Sequence, residues 1–487
     1  MFACLCCRQS WPFIIRFEIS HMLRQELPYQ ADSSALFARI AHKPWAIYLD
    51  SGRPGNDFGH YDIMVADPIK TFTTRNGVTD VQDQHGVQSL TEDPFALLKQ
   101  ALKQYPRLSS DLPFSGGALG YFAYDLGRCL EALPNQALDG EHIPQMMVGI
   151  YDWAVVVDHR KQKTWLVSCA VAEGPHQDWA ALRALFLEET QDNVGTNPLP
   201  DTPFTINSAT QSNFDLPAYQ QAFDRIQTYI HEGDCYQVNL AQRFSARASG
   251  DGWLAYQHLR KTGSAPFMSF MNLPDLQILS GSPERFLQVS GRHVETRPIK
   301  GTRPRGATAA EDQAHAEDLQ SSLKDRAENL MIVDLLRNDL GKSCATGTVR
   351  ADRLFALESY TNVHHLVSTV TGKLADDQDA LDLLRGAFPG GSITGAPKLR
   401  AMQIIEELEP HRRGVYCGAI GYIGFDGNMD TNIAIRTAVY SQGEIRFWAG
   451  GGIVADSEMD KEYRETWDKA STMLQLVDYF RGQDVGN

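Results

Sequence analysis

Residues 417–449 read CGAIGYIGFDGNMDTNIAIRTAVYSQGEIRFWA, and how this stretch folds decides the fold class. Alternating apolar residues over 417–425, 431–440 and 444–449 predict three strands. The short connections DGN and SQGE carry a glycine each, which predicts an antiparallel meander. The middle strand, TNIAIRTAVY, places Ile433, Ile435 and Val439 on one face and Arg436 on the other, between Ala434 and Ala438. Working outward, CYQVNLAQRF alternates as a strand with Tyr236, Val238, Leu240 and Phe244 on one face, and 277–289 and 293–300 read as further strands. Helices are expected over 311–340, 397–409 and 457–481, and before Gly233, where Tyr219, Phe223, Ile226 and Ile230 recur at helical spacing. Strands and helices in separate runs, without β-α-β alternation, imply an α+β fold built on large antiparallel sheets.

The 487 residues are 43% hydrophobic and 22% charged, enough to bury a sizeable core. A net charge of −15 speaks against nucleic acid as a partner and leaves room for a small acid in a locally basic pocket. No apolar run approaches the ~20 residues of a membrane helix. Five of the eight cysteines stand alone along the chain, as reduced cytoplasmic thiols do. Residues 1–22 lack the features of a signal peptide and read as an unstructured extension, with Met22 a plausible start. No internal repeat is visible. A polar, proline-containing seam at 189–213 reads as a linker between an N-terminal domain, 23–188, and a C-terminal domain, 214–482.

Several constellations carry chemistry. Glu462 and Glu465, three apart on the last helix, share a face, where like charges are unfavourable unless a cation meets them. Magnesium fits as a hard ion taking carboxylate oxygens; neutralisation by Lys461, Arg464 and Lys469 fits equally. Glu328 projects beside the apolar stripe of its helix, where a carboxylate standing alone reads as solvated. Arg436, flanked by alanines, has room for a carboxylate, or lies exposed on an open sheet face. The loops FPGGSITGAPK, 388–398, and AGGGIVADS, 449–457, could bring backbone N–H groups to an anion. Signatures of a phosphate-binding P-loop, a serine nucleophile elbow and a zinc protease helix are absent.

SPERF (282–286), PIKGTRPRG (298–306), AENLMIVDLLRNDLG (327–341), HHLVSTV (364–370), PGGSITGAPK (389–398), IRTA (435–438) and GGGIVADS with EYRET (450–466) occur in that order. Together they resemble the chorismate-utilising enzymes, a family that includes anthranilate, isochorismate, salicylate and aminodeoxychorismate synthases. PWAIYLDSG, AYDLGRC and VGIYDWAVVVDH extend the resemblance into the N-terminal half. It implies the family's fold, large antiparallel sheets forming a sandwich core with helices outside. Within the family, anthranilate synthases carry alanine where Lys300 stands; lysine in PIKGT resembles the aminodeoxychorismate synthase branch.

The resemblance implies that Lys300 attacks C2 of chorismate, expels the C4 hydroxyl, and leaves as ammonia adds at C4. An attacking amine must be neutral, and Arg297, Arg303 and Arg305 together with desolvation are expected to favour that form. The resemblance makes Glu284 an acid/base carboxylate and His365 a proton donor of near-neutral pKa beside the departing hydroxyl. It makes Glu328 and Glu465 magnesium ligands, with Glu462 close by. It implies substrate contacts at Gly301, Thr302, Ser392, Tyr416, Arg436 and Gly450, Gly451 and Gly452. Ammonia would come from a separate glutamine amidotransferase subunit. A pocket for L-tryptophan is implied near Ser51, Pro266 and Phe267. An anthranilate synthase, and a non-catalytic tryptophan-binding scaffold for an amidotransferase, are the alternatives.

Overall fold

A computed structural model describes residues 22–54, 59–107, 109–169, 178–187, 203–360 and 363–482. Residues 1–21 of the expected extension and 189–202 of the expected linker lie outside the described residues. Two large antiparallel sheets, of 13 and 12 strands among the described residues, make up the body. The first begins with Leu23–Leu27, Lys163–Ser168, Trp153–Asp158, Tyr61–Val65 and Ala46–Asp50. It continues without a break through Phe267–Leu273, Leu276–Ser282, Thr437–Ser441, Glu444–Ile453 and Gln237–Ser249. The second joins Ile299–Pro304, Val363–Lys373, His293–Thr296, Arg285–Ser290, Met429–Ile433 and Ala419–Gly424 to Gly117–Phe122, Met146–Tyr151 and the hairpins that follow.

The seam near 200 therefore divides the sequence and not the body. Asp50 pairs with Met268 in the first sheet, and Ala419 with Phe122 in the second. The described end of the expected linker is also built in: Thr205–Ile206 and Gln211–Ser212 pair with the Gln237–Ser249 strand.

The expected meander is corrected too. Ala419–Gly424 and Met429–Ile433 belong to the second sheet, whereas Thr437–Ser441 and Glu444–Ile453 belong to the first. The chain changes sheets at 434–436, where Arg436 takes a left-handed φ of +52°. Met429–Ile433 ends before this corner and Thr437–Ser441 begins after it. The expected strand 277–289 also breaks, at Pro283-Glu284, between Leu276–Ser282 and Arg285–Ser290. The expected helix 311–340 is two, Ala309–Ser321 and Leu323–Gly341, because Ser322 turns extended and caps the second through Asp325 N.

Ile47, Ile63, Leu119, Tyr121, Ile278, Ile420 and Val439 pack between the sheets. Outside the first sheet lie Gly252–Thr262 and Met459–Arg481, packed through Trp253, Tyr256, Met473 and Leu476. Outside the second lie Pro94–Leu102, Leu323–Gly341 and Ala380–Ala387, through Phe95, Leu98, Val333 and Leu384. This is the sandwich with outer helices that the sequence implied. Among the described residues no helix is long and apolar enough to cross a membrane.

Because both sheets cross the seam, neither half closes its own core. Fragments 1–188 and 203–487 should be insoluble or unfolded when expressed apart and should copurify one to one when coexpressed. Two fragments that each melt cooperatively alone would contradict the shared sheets.

Candidate active site

The site forms where the chain leaves one sheet for the other. At the two corners Ile433 N donates to Glu284 O at 3.0 Å, Gly281 N to Arg436 O at 2.9 Å, and Ser282 Oγ to Ile433 O at 2.6 Å. Glu284 and Arg436 are thus tied to one place by the backbone. The Glu284 carboxyl is buried and accepts from Ser392 Oγ at 3.1 Å. Burial raises its pKa, against the pull of Lys300 and the Ser392 hydrogen bond. The Arg436 guanidinium makes no hydrogen bond or ion pair among the described residues, and burial lowers its pKa. A half-buried guanidinium without a carboxylate is a receptor for an anion.

Lys300 lies on Ile299–Pro304, whose pairing with Val363–Lys373 slips between Ile299 and Thr302. Gly301 takes φ +83° at the bulge; a Cβ there would meet Leu319 Cδ1 at 2.8 Å and Asp325 Cβ at 3.0 Å. Lys300 Nζ is 3.1 Å from Glu328 Oε1 and donates to Ser392 O at 3.1 Å. The expectation that neighbouring arginines keep this amine neutral is wrong. Arg297 pairs with Glu358, Arg303 with Asp318 and Asp325, and Arg305 with Asp312. Burial alone would lower the Lys300 pKa, but Glu328, Glu284 and Glu465 outweigh it and hold the amine above the ordinary lysine value. Without substrate, Lys300 is an ammonium.

His365 also departs from expectation. Its Nδ1 is 2.9 Å from Thr302 Oγ1, and its ring stands edge-on to Tyr360. Burial, then the Arg436 charge, push its pKa down to about 4, so the imidazole is neutral at pH 7. It can orient a group by hydrogen bonding, but it is no imidazolium donor.

The remaining carboxylates gather over the glycine strand. A Cβ on Gly451 would lie 3.2 Å from Glu462 Oε2 and 3.3 Å from Glu465 Oε1; one on Gly452 would lie 3.3 Å from Glu328 Oε1. The bare glycine backbone leaves the acids room to approach it closely. On the last helix Glu462, Thr466, Ala470, Met473 and Val477 face inward, and Trp467 is partly exposed. Ser457 Oγ donates to Glu462 Oε1 at 2.7 Å. Lys469 pairs with Glu465 at 2.5 Å, and Lys324 stands 3.8 Å from Glu462. Among the described residues no three acidic, His or Cys side chains are close enough to enclose a metal. A cation held by one or two carboxylates and completed by substrate oxygens needs no such cage, and the donors are hard oxygens suited to Mg2+.

Ser392 sits in the 388–398 loop, on the short turn Gly391–Ile393. Tyr416 is buried and stacked on Trp448, with centroids 6.1 Å apart. One residue the sequence reading missed is Arg413, fully buried, which donates to Ile393 O at 2.9 Å and Asn239 O at 2.8 Å and pairs with Glu409 at 2.6 Å. The Glu-Arg spacing of four on a helix end was its only signal. Ser51 and Phe267 become neighbours because Asp50 pairs with Met268. Ser51 N and Oγ donate to Asp62 at 2.8 and 2.7 Å, and Arg285 covers the Phe267 ring.

A histidine whose folded pKa is about 4, against roughly 6.5 unfolded, removes stability as pH falls from 6.5 towards 4, because only the unfolded chain takes up the proton. His365→Gln should therefore gain on the parent by roughly 2 kcal/mol between pH 7 and pH 5. Parallel denaturation midpoints at the two pH values would refute the buried neutral assignment.

The family model for chorismate binding enzyme matches residues 45–475. The chain is 48% identical over 456 residues to aminodeoxychorismate synthase component 1 of Salmonella typhimurium, spanning 93% of this chain and 97% of that one. It is 49% identical over 445 residues to the protein of the same name from Escherichia coli, spanning 91% and 95%. Among solved structures, anthranilate synthase component I from Streptococcus pneumoniae matches with TM-score 0.75 and 33% identity over 85% of this chain and 92% of that one. The chain belongs to the chorismate binding enzymes.

Proposed function

We propose that this enzyme is an aminodeoxychorismate synthase component 1: it converts chorismate and ammonia to 4-amino-4-deoxychorismate, the precursor step to 4-aminobenzoate and folate. The observation that carries this reading is the Lys300 amine, enclosed between Glu328 Oε1 and Ser392 O and facing Glu284 beside the unpaired Arg436. The names of the relatives at 48% and 49% identity support it.

Arg436 and the amides of Gly450–Gly452 bind the substrate carboxylates, with Tyr416, Thr302 and Gly301 shaping the wall. The Lys300 ammonium gives its proton to the Glu284 carboxylate, the neutral amine attacks C2, the ring double bonds shift, and the C4–O bond breaks. Glu284, whose raised pKa favours the protonated acid, delivers a proton so that water leaves. Ammonia adds at C4, the C2–N bond breaks, and Lys300 is regenerated. Neutral His365 orients the departing hydroxyl. Mg2+, bound through Glu328 and Glu465 with Glu462 near, would hold a substrate carboxylate and offset the acids that keep Lys300 charged. A glutamine amidotransferase subunit supplies ammonia, and the reaction is assigned to the cytoplasm. Ser51, Pro266 and Phe267 are proposed to border a site for L-tryptophan.

The rival is anthranilate synthase, the activity named for the Streptococcus pneumoniae neighbour. Mass spectrometry of products from chorismate, ammonium and Mg2+ separates the two. Aminodeoxychorismate without pyruvate is expected; rapid release of anthranilate and pyruvate would overturn the reading, and untouched chorismate would favour a binding scaffold. Lys300→Ala should cut amination by about 100-fold or more. Glu328→Ala and Glu465→Ala should each abolish Mg2+-dependent turnover in a folded protein; unchanged activity in either would remove that residue from the metal site.

A further inference from the structure

The Leu323–Gly341 helix presents three contacts along one face. Glu328, Leu335 and Asp339 are spaced by seven and four residues, which places them within about 20° of a common line over ~16 Å. Glu328 meets Lys300. Leu335 lies under the 388–397 loop: a Cβ on Gly391 would be 2.6 Å from Leu335 Cδ2 and 3.6 Å from Asp339 Oδ2. Asp339, only 1% exposed, meets Lys398 Nζ at 2.7 Å, directly after the loop. Lys398 also donates to Ala387 O at 2.6 Å, just before the loop. Lys342 completes the clamp, 3.2 Å from Asp339 Oδ1 and donating to Gly386 O at 3.0 Å.

We propose that the buried Asp339–Lys398 pair is a positioning device for Lys300: it sets the register of the 388–397 loop along the Leu323–Gly341 helix. The helix supplies Glu328 and the loop supplies the Ser392 carbonyl, and these two groups hold the Lys300 amine from separate elements. A slip of the loop would move one anchor and leave the other. Buried ion pairs add little net stability over well-packed apolar residues, but they are directional, which suits registration better than adhesion. The catalytic consequence rests on the proposed role of Lys300; the registration of the loop does not.

The test uses full-length Asp339→Asn, Lys398→Met and the double variant Asp339→Leu/Lys398→Met, which removes both charges together. Hydrogen–deuterium exchange of amides in 388–397 should rise about tenfold in each, with the sheet strands unchanged. With chorismate, ammonium and Mg2+, kcat should fall about tenfold or more while KM stays within about threefold, since a 1 Å misplacement costs up to about 100-fold. The double variant, expected to regain parental melting behaviour, should keep the kcat defect. If a single variant does not fold, the double variant decides. Recovery of kcat along with melting temperature in the double variant, or unaltered exchange in the loop, would overturn the proposal. If the parent itself leaves chorismate untouched, the proposed reaction and the catalytic consequence drawn from it fail, and loop exchange alone decides the registration.

Discussion

Two corners hold this protein's site together. The chain passes from one sheet to the other at Pro283-Glu284 and again at Ala434–Arg436, and the corners are hydrogen-bonded to each other through Glu284 O, Arg436 O and Ser282 Oγ. A strand that changes sheets must break its ladder, and the interior opened there tolerates polar side chains that a packed strand would not. Glu284 and Arg436 occupy that break. Their separation is set by backbone bonds between rigid strands, a firmer basis for a reactive geometry than a surface loop.

Around the corners, charge is nearly balanced by neighbours rather than by solvent. Glu328 meets Lys300, Glu465 meets Lys469, Glu462 meets Ser457 and approaches Lys324, and among the described residues the Arg436 guanidinium has no charged partner. The arrangement keeps the amine protonated and the imidazole neutral before substrate arrives. A di-anion on Arg436 and the glycine amides, with a divalent ion among the acids, would redistribute these pairings. Reactivity is then a property of the loaded site.

Much of the site was legible because its residues fall in short motifs whose order alone is informative. Lys300, Glu284, Ser392 and Arg436 were named from sequence and meet in space. The α+β class and the outer helices were legible from periodicity. What escaped depended on long-range partners. Alternation in TNIAIRTAVY is real, yet it cannot reveal that Ile433 and Thr437 pair in different sheets. The arginines around Lys300 looked close in sequence, but each is drawn away by an acid 7 to 61 residues distant. The seam at 189–213 signalled a boundary in composition, whereas strand pairing joins both halves. Arg413 was missed because its partners, Asn239 O and Ile393 O, are backbone carbonyls that no side-chain motif records.

The most direct measurement is a crystal structure of the protein with chorismate and Mg2+. A substrate carboxylate in hydrogen-bond contact with the Arg436 guanidinium, and C2 of the ring within reach of Lys300 Nζ, is the result expected. Chorismate bound away from both sheet corners, or Lys300 turned out to solvent with the ring in place, would contradict the account.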